Sequence, residues 1–205
     1  MPDNITFISD YTFKGCENLT EITIPNSVKT IGEGAFMYCR SLKGILIPDN
    51  VTTIGDMAFA DCRSLGNVHM LNGVTSIGNS AFVDCRSLET VIIPNSVITI
   101  GNAAFANCSV LNNVVIPDSV TYIGEYAFSD CDILSDLKLG QSVSYIGYDA
   151  FYMTSITDLV IPISVTQIYD GVCYDIERCY YLGTADQWRS AIGVGFDAIL
   201  EKAPY

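Results

Sequence analysis

Phenylalanine stands at Phe13, Phe36, Phe59, Phe82, Phe105, Phe128 and Phe151, each 23 residues after the one before. A strict period of this length means that one supersecondary unit is repeated. Such units stack into a solenoid, because none of them buries its apolar face alone. Other columns keep the same step. Alanine precedes the aromatic from the second repeat onward (Ala35, Ala58, Ala81, Ala104, Ala127, Ala150), and cysteine follows it by three residues (Cys16, Cys39, Cys62, Cys85, Cys108, Cys131). Leucine continues the pattern at Leu19, Leu42, Leu65, Leu88, Leu111 and Leu134. Valine recurs from Val28 to Val143, and isoleucine from Ile31 to Ile146, each isoleucine followed directly by glycine.

The spacing inside one unit has a physical reading. Leu88, Val91 and Ile93 place apolar side chains on one face of an extended segment, which Pro94-Asn95-Ser96 then ends with turn chemistry. Val97 and Ile100 start the returning side, Gly101 offers a backbone that can turn with positive φ, and Ala104, Phe105 and Cys108 have the spacing of a short helix. The expected fold is an α/β solenoid: a leucine-rich-repeat-like, right-handed coil of short parallel strands with short helices on the opposite side. About eight coils, stacked at roughly 4.8 Å, make a rod or shallow arc of about 40 Å.

Written as one unit, the repeat is L-x-x-I-x-I-P-[ND]-S-V-x-x-I-G-x-x-A-F-x-x-C-x-S, and it resembles the BspA-type leucine-rich repeat family. The resemblance runs from residue 2 to about residue 173 and includes Pro25, Pro48, Pro94, Pro117 and Pro162. It implies display on the surface of host-associated bacteria or some protists, with adhesion to host proteins as the associated role.

The chain divides into a solenoid over 1–173, of about seven to eight repeats, and a C-terminal cap over 174–205. Pro2 lies one period before Pro25, so the first unit is entered midway, and an open apolar end of this kind is expected to self-associate. The last units drift: Thr154 takes the cysteine position, Ile156 comes one residue early, and Tyr169, Val172 and Cys173 replace Gly, Ala and Phe. The stretch from Tyr180 to Trp188 is similar to the closing segment often found after such repeats. Thr184 and Gln187 form a capping-box pattern that starts a short helix carrying Trp188 and Ile192 onto the last coil.

Charge and hydropathy remove several classes of partner. With 23 acidic against 10 basic residues the net charge is −13, which argues against nucleic acid and anionic membranes. The apolar runs are all shorter than a bilayer requires, and the start MPDNITFISD lacks the basic-then-apolar order of a secretory signal.

The cysteine column reads as a ladder of buried free thiols acting as small hydrophobes, although neighbours about 5 Å apart also lie within disulfide range. Cys173 and Cys179 are the pair best placed to bridge. Metal-binding spacing is missing, and no cofactor is expected. His69, the one histidine, sits between Val68 and Met70 and is expected to face solvent, away from the cysteines. No nucleophile elbow, phosphate loop or paired-carboxylate motif occurs, so the chain reads as non-catalytic.

One column departs from what a solvated sheet requires. The outward strand position reads Thr23, Leu46, His69, Ile92, Val115, Lys138 and Val160, beside the polar column Glu21, Gly44, Asn67, Thr90, Asn113, Asp136 and Asp158. Four of those seven are aliphatic where polar residues belong. An apolar stripe with a polar border is how a partner-binding surface looks; the competing reading is that β-branched residues suit a sheet. Arg40, Arg63 and Arg86, giving way to Asp132, read as a solubilising basic edge. The expected function is a protein-binding module of a secreted or cell-surface protein, taking a host or matrix protein on its strand face. The alternative is a spacer that projects another domain from the cell surface.

Overall fold

In each coil the columns of the repeat turn the chain through three sides, and stacking bonds every side to its counterpart in the next coil. The computed structural model describes residues 1–174, 176–192 and 200–201, with only the backbone of the last two. On the first side, Gly44–Ile47, Asn67–Met70, Thr90–Ile92, Asn113–Val115 and Asp136–Lys138 form a five-stranded parallel sheet in sequence order. The register joins Ile45 to Val68 and Val68 to Val91, so each inward residue stacks on its equivalent one period away.

The second side is a sheet that sequence reading did not anticipate. Eight strands of two residues each, from Phe7–Ile8 through Thr99–Ile100 to Gln167–Ile168, pair in parallel along the whole stack. Each consists of one outward residue followed by the buried isoleucine of the repeat. Threonine or tyrosine fills the outward place in five of them, at Thr30, Thr53, Thr99, Tyr122 and Tyr145, residue types that suit a pleated, half-buried surface.

Along the third side, the helix expected over Ala104, Phe105 and Cys108 does not form. Among the described residues the only α-helix is Ala185–Ala191. Instead each coil makes successive tight turns with two left-handed residues, such as Ala103 at φ 52° and Asn107 at φ 60°. Those residues aim alternate amides out of the coil: Ala103, Phe105 and Asn107 donate to the carbonyls of Glu125, Ala127 and Ser129 in the next coil, at 2.7 to 2.9 Å. A helix would spend these amides within its own turn; here they join the coils, and that is why the turn form prevails.

The conserved-step glycines also act differently from expectation. Gly101 does not have positive φ; a Cβ at this position would lie 2.7 Å from the backbone nitrogen of Asn79 and the carbonyl carbon of Gly78. Its role is to let neighbouring coils approach.

Inside, the phenylalanines form one stacked column. Centroids are 5.1 to 5.3 Å apart from Phe13 to Phe128 with ring planes within 10°, opening to 6.1 Å and 26° at Phe151. This opening falls where the repeat contracts. Leu134 and Ile156 are one residue short of the period, the five-stranded sheet ends between them at Asp136–Lys138, and a separate sheet begins with Asp158–Ile161, Arg178–Tyr181 and Leu200–Glu201. Cys173 and Cys179 form a disulfide. Thr184 caps the helix Ala185–Ala191 through a capping box with Gln187, and Trp188 packs into the core against Tyr181 at 5.2 Å. Part of the expected cap, Asp175, residues 193–199 and residues 202–205, lies outside the described residues.

Candidate binding surface on the five-stranded sheet

The outward residues of the five-stranded sheet are set by strand alternation: in Asn67–Met70, Val68 and Met70 are buried while Asn67 and His69 are exposed. The aliphatic members of the stripe are correspondingly open, with Ile92 65% exposed, Val115 54%, Leu46 52% and Val160 46%. Leucine-to-valine side chains left this bare are an exception to the burial of every inward column.

The structure divides the stripe. A groove of about 820 Å³ runs across the sheet and takes in His69, Ile92, Val115 and Lys138. Leu46 lies outside its lining, Thr23 precedes the first strand of this sheet, and Val160 belongs to the following three-stranded sheet. The strands Thr90–Ile92 and Asn113–Val115 are joined through a single register pair, Thr90 with Asn113, against three or four between the other neighbours. The groove covers the ends of these strands beyond that pair. Its second wall comes from the corner that follows, where Asn72, Pro94, Asn95, Pro117, Asp118 and Gly140 face the stripe. Sequence reading missed this wall. The periodic Asn and Asp after the strands were visible as turn residues, but only the stacked corners bring them round to the stripe.

Charges around the groove are mutually tied. Lys138 Nζ lies 3.9 Å from Asp136 Oδ2, and Asn113 Nδ2 donates to the same oxygen at 3.3 Å. At the end of the stripe, Arg178 makes a two-point contact with Asp158, its Nε and Nη2 donating to the two carboxylate oxygens at 2.5 and 2.6 Å. This guanidinium holds the Asp158 carboxyl at about 2. The arginine column is likewise engaged: Arg40 and Arg63 both contact the buried carboxylate of Asp61, and Arg86 contacts the half-buried carboxylate of Asp84. Burial raises the Asp61 carboxyl, but the two guanidiniums outweigh it and leave it below the ordinary value. The edge read as basic is therefore largely neutralised by the left-handed aspartates beside it.

The cysteines face away from this surface. Cys39, Cys62, Cys85, Cys108 and Cys131 are buried, and each donates its thiol to the carbonyl of the phenylalanine 26 residues earlier, at 3.1 to 3.3 Å. Burial pushes the Cys39 thiol up to about 11 and Cys131 up to about 12, and raises Cys62, Cys85 and Cys108 as well. Burial thus favours the protonated thiol at neutral pH, the form that is a poor nucleophile. Among the described residues no group of three or more His, Cys, Asp or Glu is placed to hold a metal ion, and no helix is long and apolar enough to cross a membrane.

A parallel-strand solenoid of about eight coils with one recurring leucine, isoleucine and phenylalanine core is a leucine-rich repeat protein. The chain belongs to the BspA type leucine-rich repeat family, whose model matches residues 1–112 and 53–180 in six copies. Among solved structures it is similar to a leucine-rich repeat protein of T. pallidum, with 32% identity and a TM-score of 0.67 over 72% of this chain and 71% of the other. A leucine-rich repeat protein from Bacteroides ovatus matches with 31% identity and a TM-score of 0.65, over 92% of this chain and 55% of its own length. The pneumococcal vaccine antigen PcpA shares the fold at 20% identity and a TM-score of 0.60, over 97% of this chain and 60% of that one. No curated protein matches the sequence.

Proposed function

We propose that this protein is a non-catalytic binding module of a secreted or cell-surface protein, and that it holds a protein ligand in the groove across the five-stranded sheet. The observation that carries this reading is the position of Ile92 and Val115, both more than half exposed on the floor of one groove. Burying such side chains under a partner removes apolar area from water at about 25 cal/mol per Å². His69 and Lys138 flank that floor, and the polar residues Asn95 and Asp118 line it from the corner. An apolar centre with a polar rim is the anatomy of a protein-binding site. Leucine-rich repeats generally mediate protein interactions, and the family's association with surface proteins supports the location. Residues 174–205 close the solenoid in this reading, the disulfide and Trp188 fastening the last coil.

The test is binding of the chain to immobilised extracellular-matrix and serum proteins, alongside an Ile92→Asp, Val115→Asp variant and a Leu46→Asp variant. Loss of one ligand with the groove variant, and its retention with Leu46→Asp, supports the groove. Equal binding by all three removes the groove from the function and favours a spacer.

A further inference from the structure

The last coils carry aromatic residues that the repeat does not require. In the outward column of the eight-stranded sheet, Thr30, Thr53, Ser76 and Thr99 give way to Tyr122 and Tyr145. In the left-handed column that follows, which opens with Tyr11 and Gly34, Met57, Ser80 and Ala103 give way to Tyr126. The backbone register is the same on either side of the change, Ser76 pairing with Thr99 as Tyr122 pairs with Tyr145. The rings are therefore additions to a scaffold that closes without them.

These additions meet in space. Tyr122 and Tyr145 stack with centroids 4.5 Å apart and planes 13° from parallel, and Tyr169 continues the row at 5.3 Å. Tyr126 and Tyr148 form an edge-to-face pair at 5.5 Å. Tyr126, Tyr148 and Tyr169 are each about 40% exposed, at 40%, 41% and 41%. The segments that supply the rings, 120–130, 143–153 and 165–174, contain Glu125, Asp130, Asp149 and Asp170 and no lysine, arginine or histidine. The carboxylates are close enough to act on the phenols. Desolvation and then Asp149 and Glu125 raise the Tyr126 hydroxyl, while Asp149 is the main cause for Tyr148.

Tyrosine faces carry negative potential, and a cation placed over them is attracted most strongly where carboxylates add to the field. Arginine uses such a surface better than lysine, because its planar guanidinium stacks on a ring while still donating to a carboxylate. We propose that the tyrosine strip of the last three coils is a docking surface for an arginine-bearing basic segment of a partner protein. The strip lies on the eight-stranded sheet and the turns that follow it, not on the sheet that carries the groove, so it stands or falls independently of the function proposed above.

The experiment titrates the whole chain, at physiological salt, with a short labelled peptide of alternating arginine and glycine and with its lysine counterpart. Tyr122→Thr, Tyr126→Ala and Tyr145→Thr are combined in one variant, each substitution giving the residue that the preceding or an earlier coil already carries. A second variant, Glu125→Gln with Asp149→Asn, keeps the rings and removes charge. The expected result is tighter binding of the arginine peptide than of the lysine peptide. The tyrosine variant should lose about tenfold in arginine affinity together with that preference, and the charge variant should weaken both peptides. Equal binding of the two peptides, unchanged by the tyrosine variant, overturns the proposal and leaves only diffuse attraction to a chain of net charge −13. Binding of a soluble neutral glucan that needs the rings but not the carboxylates, with no arginine preference, overturns it in favour of a glycan.

Discussion

Cys85 donates its thiol at 3.3 Å to the carbonyl of Phe59, which also accepts the backbone amide of Cys62 within its own coil. One oxygen thus closes a turn and fastens the next coil onto it, and the same arrangement recurs at each step of the ladder. Cysteine suits this column because it is small enough to stack and still brings a weak donor. Replacing Cys85 by alanine removes that donor and leaves a small void, and it should lower unfolding stability by about 1–2 kcal/mol in a denaturant titration. An aromatic-disulfide thiol reagent should label Cys16 in the native protein and the five ladder cysteines only after denaturation.

Gly101→Ala should be destabilising by about 1–3 kcal/mol, because the new methyl meets neighbouring backbone that cannot rotate away. Gly66→Ala is the matched control: its Cβ would lie 3.6 Å from the nearest atom, an ordinary contact, and its effect should stay within about 0.5 kcal/mol. Thermal melts of the two variants decide it, and a reversed order would mean that coil approach is not what fixes glycine in this column.

Reducing the Cys173–Cys179 disulfide, or replacing both residues by serine, should loosen the last coil first. Hydrogen exchange should speed up over Asp158–Ile161, Arg178–Tyr181 and the helix Ala185–Ala191 while the five-stranded sheet stays protected. The expected loss in that region is about 2 kcal/mol. Uniform acceleration along the chain would show that the coils unfold as one unit.

Acid should act on the same region through Asp158. Its carboxyl titrates at about 2 in the folded protein, below its value in the unfolded chain, so the unfolded state takes up the proton first as pH falls. The stabilisation is complete above the unfolded value near 3.9 and is lost as pH drops through about 2. The melting temperature should therefore fall over that window, and an Arg178→Ala variant should show a shallower fall. Because the pair is exposed, the effect at neutral pH is small.

The solenoid was legible because its evidence is one-dimensional: Phe13 to Phe151 and Cys16 to Cys131 mark the same place in every coil. The second sheet was not, since a two-residue strand such as Thr99–Ile100 has no alternation to count. The helix expectation failed at Ala104–Cys108 because inward side chains spaced three and four apart also fit two consecutive turns. A signal existed in Asp61, Asp84, Asn107 and Asp130, residue types that tolerate the left-handed conformation their backbone adopts. The outward direction of Leu46, Ile92 and Val115 was readable from alternation. The wall that Asn95 and Asp118 build beside Ile92 and Val115 was not, because it depends on how successive corners overlie.

The turn side joins each coil only to its two neighbours, and in one repeating manner: Phe59 to Ala81, Phe82 to Ala104, Phe105 to Ala127. A gene that gains or loses one whole repeat therefore encodes a chain whose bonds close again without a gap. Recombination between like repeats can set the length of such a molecule without redesigning its interior. The single 22-residue step from Leu134 to Ile156 shows the cost of another size: the columns after it still stack, Ile146 on Ile168, but the five-stranded sheet stops there.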